Sequence, residues 1–413
     1  MQPANDRLAH TLPSGRDVFP SIGESRIVGR PITVVRSRSL DHARPITVDP
    51  GSAMPVEAAG FGTPLGPAFR RHIRTVPDRA CMDAYELITR NAAEVVTEEE
   101  IEALADDPEG KRAYVGYEPS GVLHIGHMLT ANKLIDLQEA GFEVTVLLAD
   151  VHAYLNDKGS FEEIRRTAER MRDQFIAYGL DADRTQFVLG SDFQLEDDYT
   201  LDLHALELET TLARAERAMA EIKSGDSVKV SQAVYPLMQA LDIPYLGVDL
   251  AVGGMEQRKV HMLARDVLPS IDRKPPTSLH TPLIADLASG IGKMSSSTGV
   301  TVSMEDSTEE IETKIEKAYC PPTADPDPDD EGNERENPVL QIFEYHVFPR
   351  FDSVVVERPD EYGGDLEYEA YDALEADVES GELHPADAKS ALASALDRLI
   401  APGREQLQDR QDQ

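Results

Sequence analysis

The chain has no tryptophan, only two cysteines and only 11 lysines among its 413 residues. Two cysteines, Cys81 and Cys320, exclude a disulfide framework and a four-cysteine zinc site. No apolar run approaches the roughly 18 residues of a membrane span. The N-terminus lacks a signal-peptide core, so no membrane partner is expected and a reducing cytoplasm is the expected compartment. Positive charge is also scarce: 40 Lys and Arg stand against 76 Asp and Glu, a formal net charge of −36. The acids are spread along the chain and lysine is rare, which favours a halophilic protein over ordinary acidity with a disordered acidic tail. Such a charge repels a polyanion at long range. In molar salt, however, the Debye length is only about 3 Å, and contact then rests on local basic spots, stacking and hydrogen bonds. The acidity therefore does not exclude an RNA partner.

Residues 1–81 stand apart. They hold 11 Arg, no Lys, 7 acids and ten of the 27 prolines, whereas the rest of the chain holds 29 basic and 69 acidic residues. Arg-Pro-Ile-Thr-Val occurs twice, from Arg30 and from Arg44, which is too little for a repeat fold. An Arg-rich, acid-poor start fits a transit peptide. The preferred reading is a disordered extension, or upstream sequence translated from an early start codon, with Met82 as the natural first residue. From Met82 helix and strand patterns alternate. Residues 98–104 read as a short acidic helix, 112–117 and 143–149 as buried strands, and 185–189 as a third strand. Ser160 and Glu163 form a capping box that opens a long amphipathic helix through Tyr178. This order predicts an α/β fold, a doubly wound parallel sheet of Rossmann-like type. Residues 195–233 read as a helical insertion, and 246–252 as another strand before Gly253-Gly254. Three regions result: an extension at 1–81, a nucleotide-binding catalytic domain at 82–305, and a smaller, mainly helical domain at 306–413. The last carries an acid- and proline-rich solvated loop at 324–337 and a helix over 387–399 that ends near Pro402-Gly403.

Two short segments carry the chemistry. His124-Ile125-Gly126-His127 follows a strand and a loop with Pro119, Ser120 and Gly121, and it opens a helix closed by Gly141. A strand–turn–helix aims backbone N–H groups at an anion. The two histidines add side-chain donors where a triphosphate could lie, and Gly126 lets a base or ribose approach the backbone. The second segment, Lys293-Met294-Ser295-Ser296-Ser297, follows the flexible stretch Ser289-Gly290-Ile291-Gly292. It can swing one ammonium and three hydroxyls over the same phosphates, with Lys293 as a mobile point charge. The histidine pair lacks the glutamate and spacing of a zinc-protease helix. A phosphate loop would need Gly at Leu287 and Ser or Thr at Met294. No protein-held metal is expected. Tyr235, Gln239 and Asp242 share one helix face, flanked by Leu237, Met238 and Leu241. That much apolar surface buries the face, and a buried aspartate needs a partner, which a ligand can supply.

These segments resemble the two signatures of class I aminoacyl-tRNA synthetases. Residues 114–121, 147–156, 235–259 and 384–387 resemble the archaeal and eukaryotic tyrosyl branch, and the resemblance runs from Met82 to about Arg404. It implies activation of tyrosine with ATP to tyrosyl-adenylate, Mg²⁺ bridging phosphate oxygens, transfer to the 3′ end of tRNA(Tyr), and a homodimer. It implies catalytic roles for His124, His127 and Lys293, and ATP contacts at Gly126, Met294, Ser295 and Ser296. It implies that Asp242 and Tyr114 bind the phenol hydroxyl, with Tyr235, Gln239 and Gln257 around the α-ammonium. Arg217 and Arg258 fall at positions that contact the first acceptor-stem pair. Tyr362 falls where an aromatic stacks on the first anticodon base, and Asp387 where a carboxylate reads that base as guanine, which makes 306–413 the anticodon-binding domain. The commonest form of the second signature has Lys where Ser296 or Ser297 stands, so Lys293 is the only ammonium of this loop. His152 follows a strand end, where α/β folds place ligands, and reads equally as a structural histidine. Plainer readings also stand beside the others: surface salt bridges at Arg217 and Arg258, a helix cap at Asp387. A tryptophanyl enzyme shares the fold and both signatures. The same residues also admit a small-molecule nucleotidyltransferase and a catalytically dead tRNA-binding relative.

Overall fold

The computed structural model describes residues 82–219, 229–294, 300–321, 325–326 and 334–411. The expectations for residues 1–81, for Ser295, Ser296 and Ser297, and for most of the loop at 324–337 lie outside the described residues.

A short helix α1 (Ala84–Thr89) and a two-residue strand β1 (Glu94–Val95) lead into the acidic helix α2 (Glu98–Asp106). Then come β2 (Arg112–Tyr117), α3 (Ile125–Ala140), β3 (Glu143–Leu148), α4 (Asp150–Leu155), α5 (Phe161–Tyr178) and β4 (Thr185–Leu189). The helices begin and end where local chemistry directs them. At α5, Ser160 Oγ accepts from the Glu163 N–H at 3.3 Å, while Glu163 Oε2 accepts from the Ser160 N–H at 2.9 Å. At α3, Gly141 adopts the left-handed conformation, φ 115°, that ends a helix without a Cβ penalty.

Between β4 and the next strand the described residues form α6 (Asp197–Glu209), α7 (Leu212–Ala218) and, after residues 220–228, which lie outside the description, α8 (Val230–Leu246). The strand expected at 246–252 starts later, because α8 runs on to Leu246 and stops at Gly247, φ 60°. The strand proper is β5 (Leu250–Gly254), and α9 (Arg258–Val267) and β6 (Thr277–Thr281) follow. The sheet order is β1-β6-β5-β2-β3-β4, with only the β1–β6 pair antiparallel. The chain therefore proceeds from β2 outward through β3 and β4, then returns to the other side of β2 with β5. Such a reversal leaves a crevice at the carboxyl ends of the two central strands, where open α/β sheets bind ligands.

Beyond the sheet lie α10 (Thr308–Glu316), α11 (Pro338–Ile342), a hairpin of β7 (Val354–Val356) with β8 (Leu366–Tyr368), α12 (Tyr371–Ser380) and α13 (Pro385–Gln411). The expected stop at Pro402-Gly403 is not a stop, because α13 continues through both residues. Gly403 serves packing instead. A Cβ there would meet the Ala177 carbonyl oxygen at 2.4 Å, so the missing side chain is what lets α13 lie against the end of α5. One hydrophobic cluster runs from Leu87 through β2, α3 and β3 to Leu396 and Ile400. A second, built on Tyr114, Phe193, Tyr199, Leu237 and Leu241, lies under α8.

Candidate active site

A cavity of about 620 Å³ opens at the carboxyl ends of the strands. Its walls take Tyr117 and Glu118 from the end of β2, Ala149 from the end of β3, Gly253 and Gly254 from β5 and Thr281 from β6. The same cavity is lined by His124, Gly126, His127, Lys293, Met294, Tyr114, Tyr235, Gln239, Asp242 and Gln257. Residues as far apart in sequence as Tyr114 and Met294 thus face one space.

The two signature segments are stitched together. The Ile125 N–H donates to the Val302 carbonyl at 2.9 Å and the Met304 N–H to the Leu123 carbonyl at 2.9 Å, so the chain leaving the second signature pairs with the start of α3. On the other side the Met294 N–H donates to the Ile284 carbonyl at 2.7 Å, and the Thr301 hydroxyl donates to Met294 Sδ at 3.2 Å. The segment that carries Ser295 and Ser296 is therefore anchored at both ends, beside His124 on the far side and on Ile284 on the near side.

His124 is the N-cap of α3, with Nδ1 accepting from the Gly126 N–H at 3.1 Å. That bond fixes the proton on Nε2 and leaves a donor for a ligand oxygen. The His127 ring lies 3.8 Å from the His124 ring, centroid to centroid. Burial pushes the His124 pKa down to about 4, and burial plus the neighbouring His124 push that of His127 well below the usual value. Both imidazoles are therefore neutral donors at pH 7. The role of Gly126 differs from the one its sequence position suggests. A Cβ there would stand 2.9 Å from His124 Cε1, so the glycine first makes room for the imidazole.

At the other end of the cavity Asp242 is fully buried on α8. Its Oδ1 accepts from Gln194 Nε2 at 2.7 Å and from the Tyr199 hydroxyl at 2.8 Å, while its Oδ2 has no partner. Burial raises its pKa to about 7, against the lowering effect of those two hydrogen bonds. His152, just past β3, is buried with its Nε2 3.9 Å from Asp242 Oδ2. Gln194 Nε2 already donates to Asp242 and faces His152 Nδ1 at 3.3 Å, which makes Nδ1 the acceptor and leaves the proton on Nε2. Burial lowers the His152 pKa to about 4. The cavity therefore ends in one acceptor and one donor, both without partners. Tyr114 is buried beside them, its pKa raised by burial and by the Asp242 charge. A Cβ on Gly116 would come within 2.8 Å of the Tyr114 hydroxyl, so glycine is needed there.

Between the two ends, Gln239 Nε2 donates to Gln257 Oε1 at 2.9 Å, and the Tyr235 hydroxyl donates to Glu118 Oε1 at 2.6 Å. Glu118, Gln194, Tyr199 and Glu256 were not singled out from the sequence. Glu118 could have been found as the residue directly after a strand, whereas Gln194 and Tyr199 lie 48 and 43 residues from Asp242 with no spacing to betray them. Glu256 lines the cavity with a buried Oε2 that has no partner.

The remaining residues of interest are outside this cavity. Arg217 is exposed on α7, and Arg258 at the start of α9 donates from Nε to both Glu94 oxygens at 2.8 Å. Tyr362 is 68% exposed, on a turn that Arg358 ties through Gly364 to the Glu382 carbonyl just before α13. Asp387 sits half-buried in the first turn of α13, and the capping side chain there is His384, whose Nδ1 accepts from the Ala386 N–H at 3.1 Å.

Residues 108–401 match the family model described as tRNA synthetases class I (W and Y). Over 326 residues, 79% of this chain and 99% of the relative, the sequence is 88% identical to the tyrosine–tRNA ligase of Halorubrum lacusprofundi. It is 70% identical to that of Halobacterium salinarum over 328 residues, again 79% of this chain and 99% of the relative. Among solved structures, the tyrosyl-tRNA synthetase of Archaeoglobus fulgidus in complex with L-tyrosine aligns at a TM-score of 0.73 with 54% identity, covering 78% of this chain and 98% of that one.

Proposed function

The chain belongs to the class I tRNA synthetases of the tryptophan and tyrosine group, and from that premise we propose how its cavity works as a tyrosine–tRNA ligase. It activates tyrosine with ATP to tyrosyl-adenylate and pyrophosphate, then transfers the tyrosyl group to the 3′ end of tRNA(Tyr). The observation that carries the site reading is the pair of unpartnered polar atoms at the cavity's end, the acceptor Asp242 Oδ2 and the donor His152 Nε2, 3.9 Å apart. A phenol hydroxyl donates and accepts, so it satisfies both, with Tyr114 beside it. An indole N–H only donates and would leave the His152 N–H unpaired, which disfavours tryptophan as the substrate. A site built to hydrogen-bond a hydroxyl also rejects phenylalanine.

The α-ammonium then lies toward Tyr235, Gln239, Gln257 and the Glu118 carboxylate. Glu256 offers its free oxygen to a ribose hydroxyl, the use that nucleotide sites make of a carboxylate. The triphosphate runs over the start of α3. The His124 Nε2–H and the neutral His127 donate to its oxygens, and Lys293 supplies the mobile positive charge as pyrophosphate departs, with Gly126, Met294, Ser295 and Ser296 alongside. No covalent enzyme intermediate is required, since positioning and charge stabilisation suffice. Mg²⁺ arrives on ATP as part of the substrate. Among the described residues no cluster of three or more acidic, histidine or cysteine ligands could hold it, and magnesium suits phosphate oxygens and water.

In the same reading Arg217 and Arg258 meet the acceptor stem, and Tyr362 stacks on the first anticodon base while Asp387 reads it. The exposed leucines of α6 and α7 dock a second copy in a homodimer. The composition is halophilic, the compartment cytoplasmic, and among the described residues no helix is long and apolar enough to cross a membrane. Amino-acid-dependent exchange of pyrophosphate into ATP tests the proposal. Tyrosine is expected to drive exchange, with phenylalanine and tryptophan far slower. Tryptophan exchanging as fast as tyrosine would overturn the assignment of the cavity's end.

A further inference from the structure

We propose that Glu94, backed by His280 and His261, is a positioning residue that aims the guanidinium of Arg258 at RNA. The inference rests on the reading of Arg258 as an acceptor-stem contact. The Arg258 side chain is 44% exposed, and its Nε edge is held by both oxygens of Glu94 at 2.8 Å. Among the described residues neither of its terminal nitrogens has a hydrogen-bond partner, so the fork that suits a phosphate or a base edge is left over once Glu94 holds the Nε.

Glu94 is held in turn. The antiparallel register of β1 and β6 puts it opposite His280, whose Nδ1 lies 3.0 Å from the carboxylate. The direction of that contact falls short of hydrogen-bond geometry, yet the short distance still decides the tautomer. A lone pair facing a carboxylate would be repelled, so the proton sits on Nδ1. His280 Nε2 is then the acceptor for His261 Nδ1–H at 3.0 Å. His261 is buried, lies one turn beyond Arg258 on α9, and lines the cavity. Helix α9 thus grips the β1–β6 edge at two points, one facing outward and one in the cavity wall.

Stability is a poor reason for this arrangement, because a half-exposed ion pair contributes little to folding. Preorganisation is a better one. A long arginine already fixed in one plane loses less freedom when it docks. The carboxylate also supplies a rigid anchor that a neighbouring water would not.

The test uses the full-length enzyme with Glu94→Gln, Arg258→Ala and the double variant. Two rates are read: tyrosine-dependent pyrophosphate exchange without RNA, and tyrosylation of a tRNA(Tyr) transcript. Glu94→Gln is expected to leave exchange within about twofold of the parent and to raise the KM for tRNA about fivefold. In the Arg258→Ala background the same change is expected to add nothing, because the group it aims is gone. An unchanged KM for tRNA in Glu94→Gln, while Arg258→Ala raises it, overturns the proposal and leaves the Arg258 reading standing. So does an additive effect in the double variant, or a loss of exchange in Glu94→Gln, since either marks a general structural role. If Arg258→Ala itself leaves the KM for tRNA unchanged, the Arg258 reading fails first and the proposal falls with it.

Discussion

Asp242 concentrates the specificity argument at the scale of a single residue. A buried carboxyl oxygen left without a partner costs about 1–3 kcal/mol, more when the group is charged. That cost makes sense where a ligand hydroxyl completes the set. Its pKa near 7 makes binding pH-dependent. Tyrosine donating to Oδ2 favours the ionised form, so affinity is expected to weaken as pH falls through about 7 and to level off above it. Asp242→Asn keeps the shape but removes the charge. It is expected to weaken tyrosine by about 2 kcal/mol, roughly thirtyfold, and to abolish that pH dependence. Tyrosine titrations from pH 6 to 8 on both proteins would check this, and a parent affinity flat across the range would count against Asp242 as the acceptor.

Elements decide what is presented outward. Leu201 and Leu208 stand seven residues apart on one face of α6, and Leu195 and Leu212 flank that helix, all between 60% and 87% exposed. So much apolar side chain in water is unusual for a finished surface and fits a face covered by a second copy. Leu208→Asp is expected to leave the fold intact, because the side chain has little to lose in the monomer. It is also expected to shift the mass in light-scattering chromatography from dimer to monomer. A parent protein that is already monomeric at working concentration would remove the homodimer reading. Elements also explain one disagreement with the sequence pattern. Pro402-Gly403 has the look of a helix end, yet helix-to-helix packing at Ala177 uses the glycine inside α13.

Charge and burial act on the molecule as a whole in opposite directions. With a net charge of −36, acidification relieves repulsion. The buried histidines oppose that. Burial holds His124 and His152 down to about 4, and His261 and His346 down to about 3, from the usual 6.5. Below pH 6.5 the unfolded chain takes up protons that the native state cannot hold until far lower, so their contribution to stability is complete above 6.5 and is lost toward 4. Asp242 opposes this, as do Asp192 and Glu344, whose carboxyls burial also raises. In molar salt, where long-range repulsion is screened, the histidine effect is expected to win. The denaturation midpoint should then fall between pH 7.5 and 5, and a midpoint that rises would contradict the assignment of these imidazoles as neutral and buried.

Much of the molecule is written locally. The capping box at Ser160 and Glu163, the stop at Gly141, strand β2 and the histidine signature at the start of α3 depend on neighbours within a few residues, so the pattern alone places them. The family followed from the same short segments. What tertiary structure alone decided is the company those residues keep. Gln194 and Tyr199 reach Asp242 across 48 and 43 residues, and Arg258 reaches Glu94 across 164. These meetings are set by strand order and register. Local spacing carries no trace of which distant side chain will fill the remaining lone pair of a buried acid, and only the assembled sheet with its helices packed on it brings donor and acceptor together.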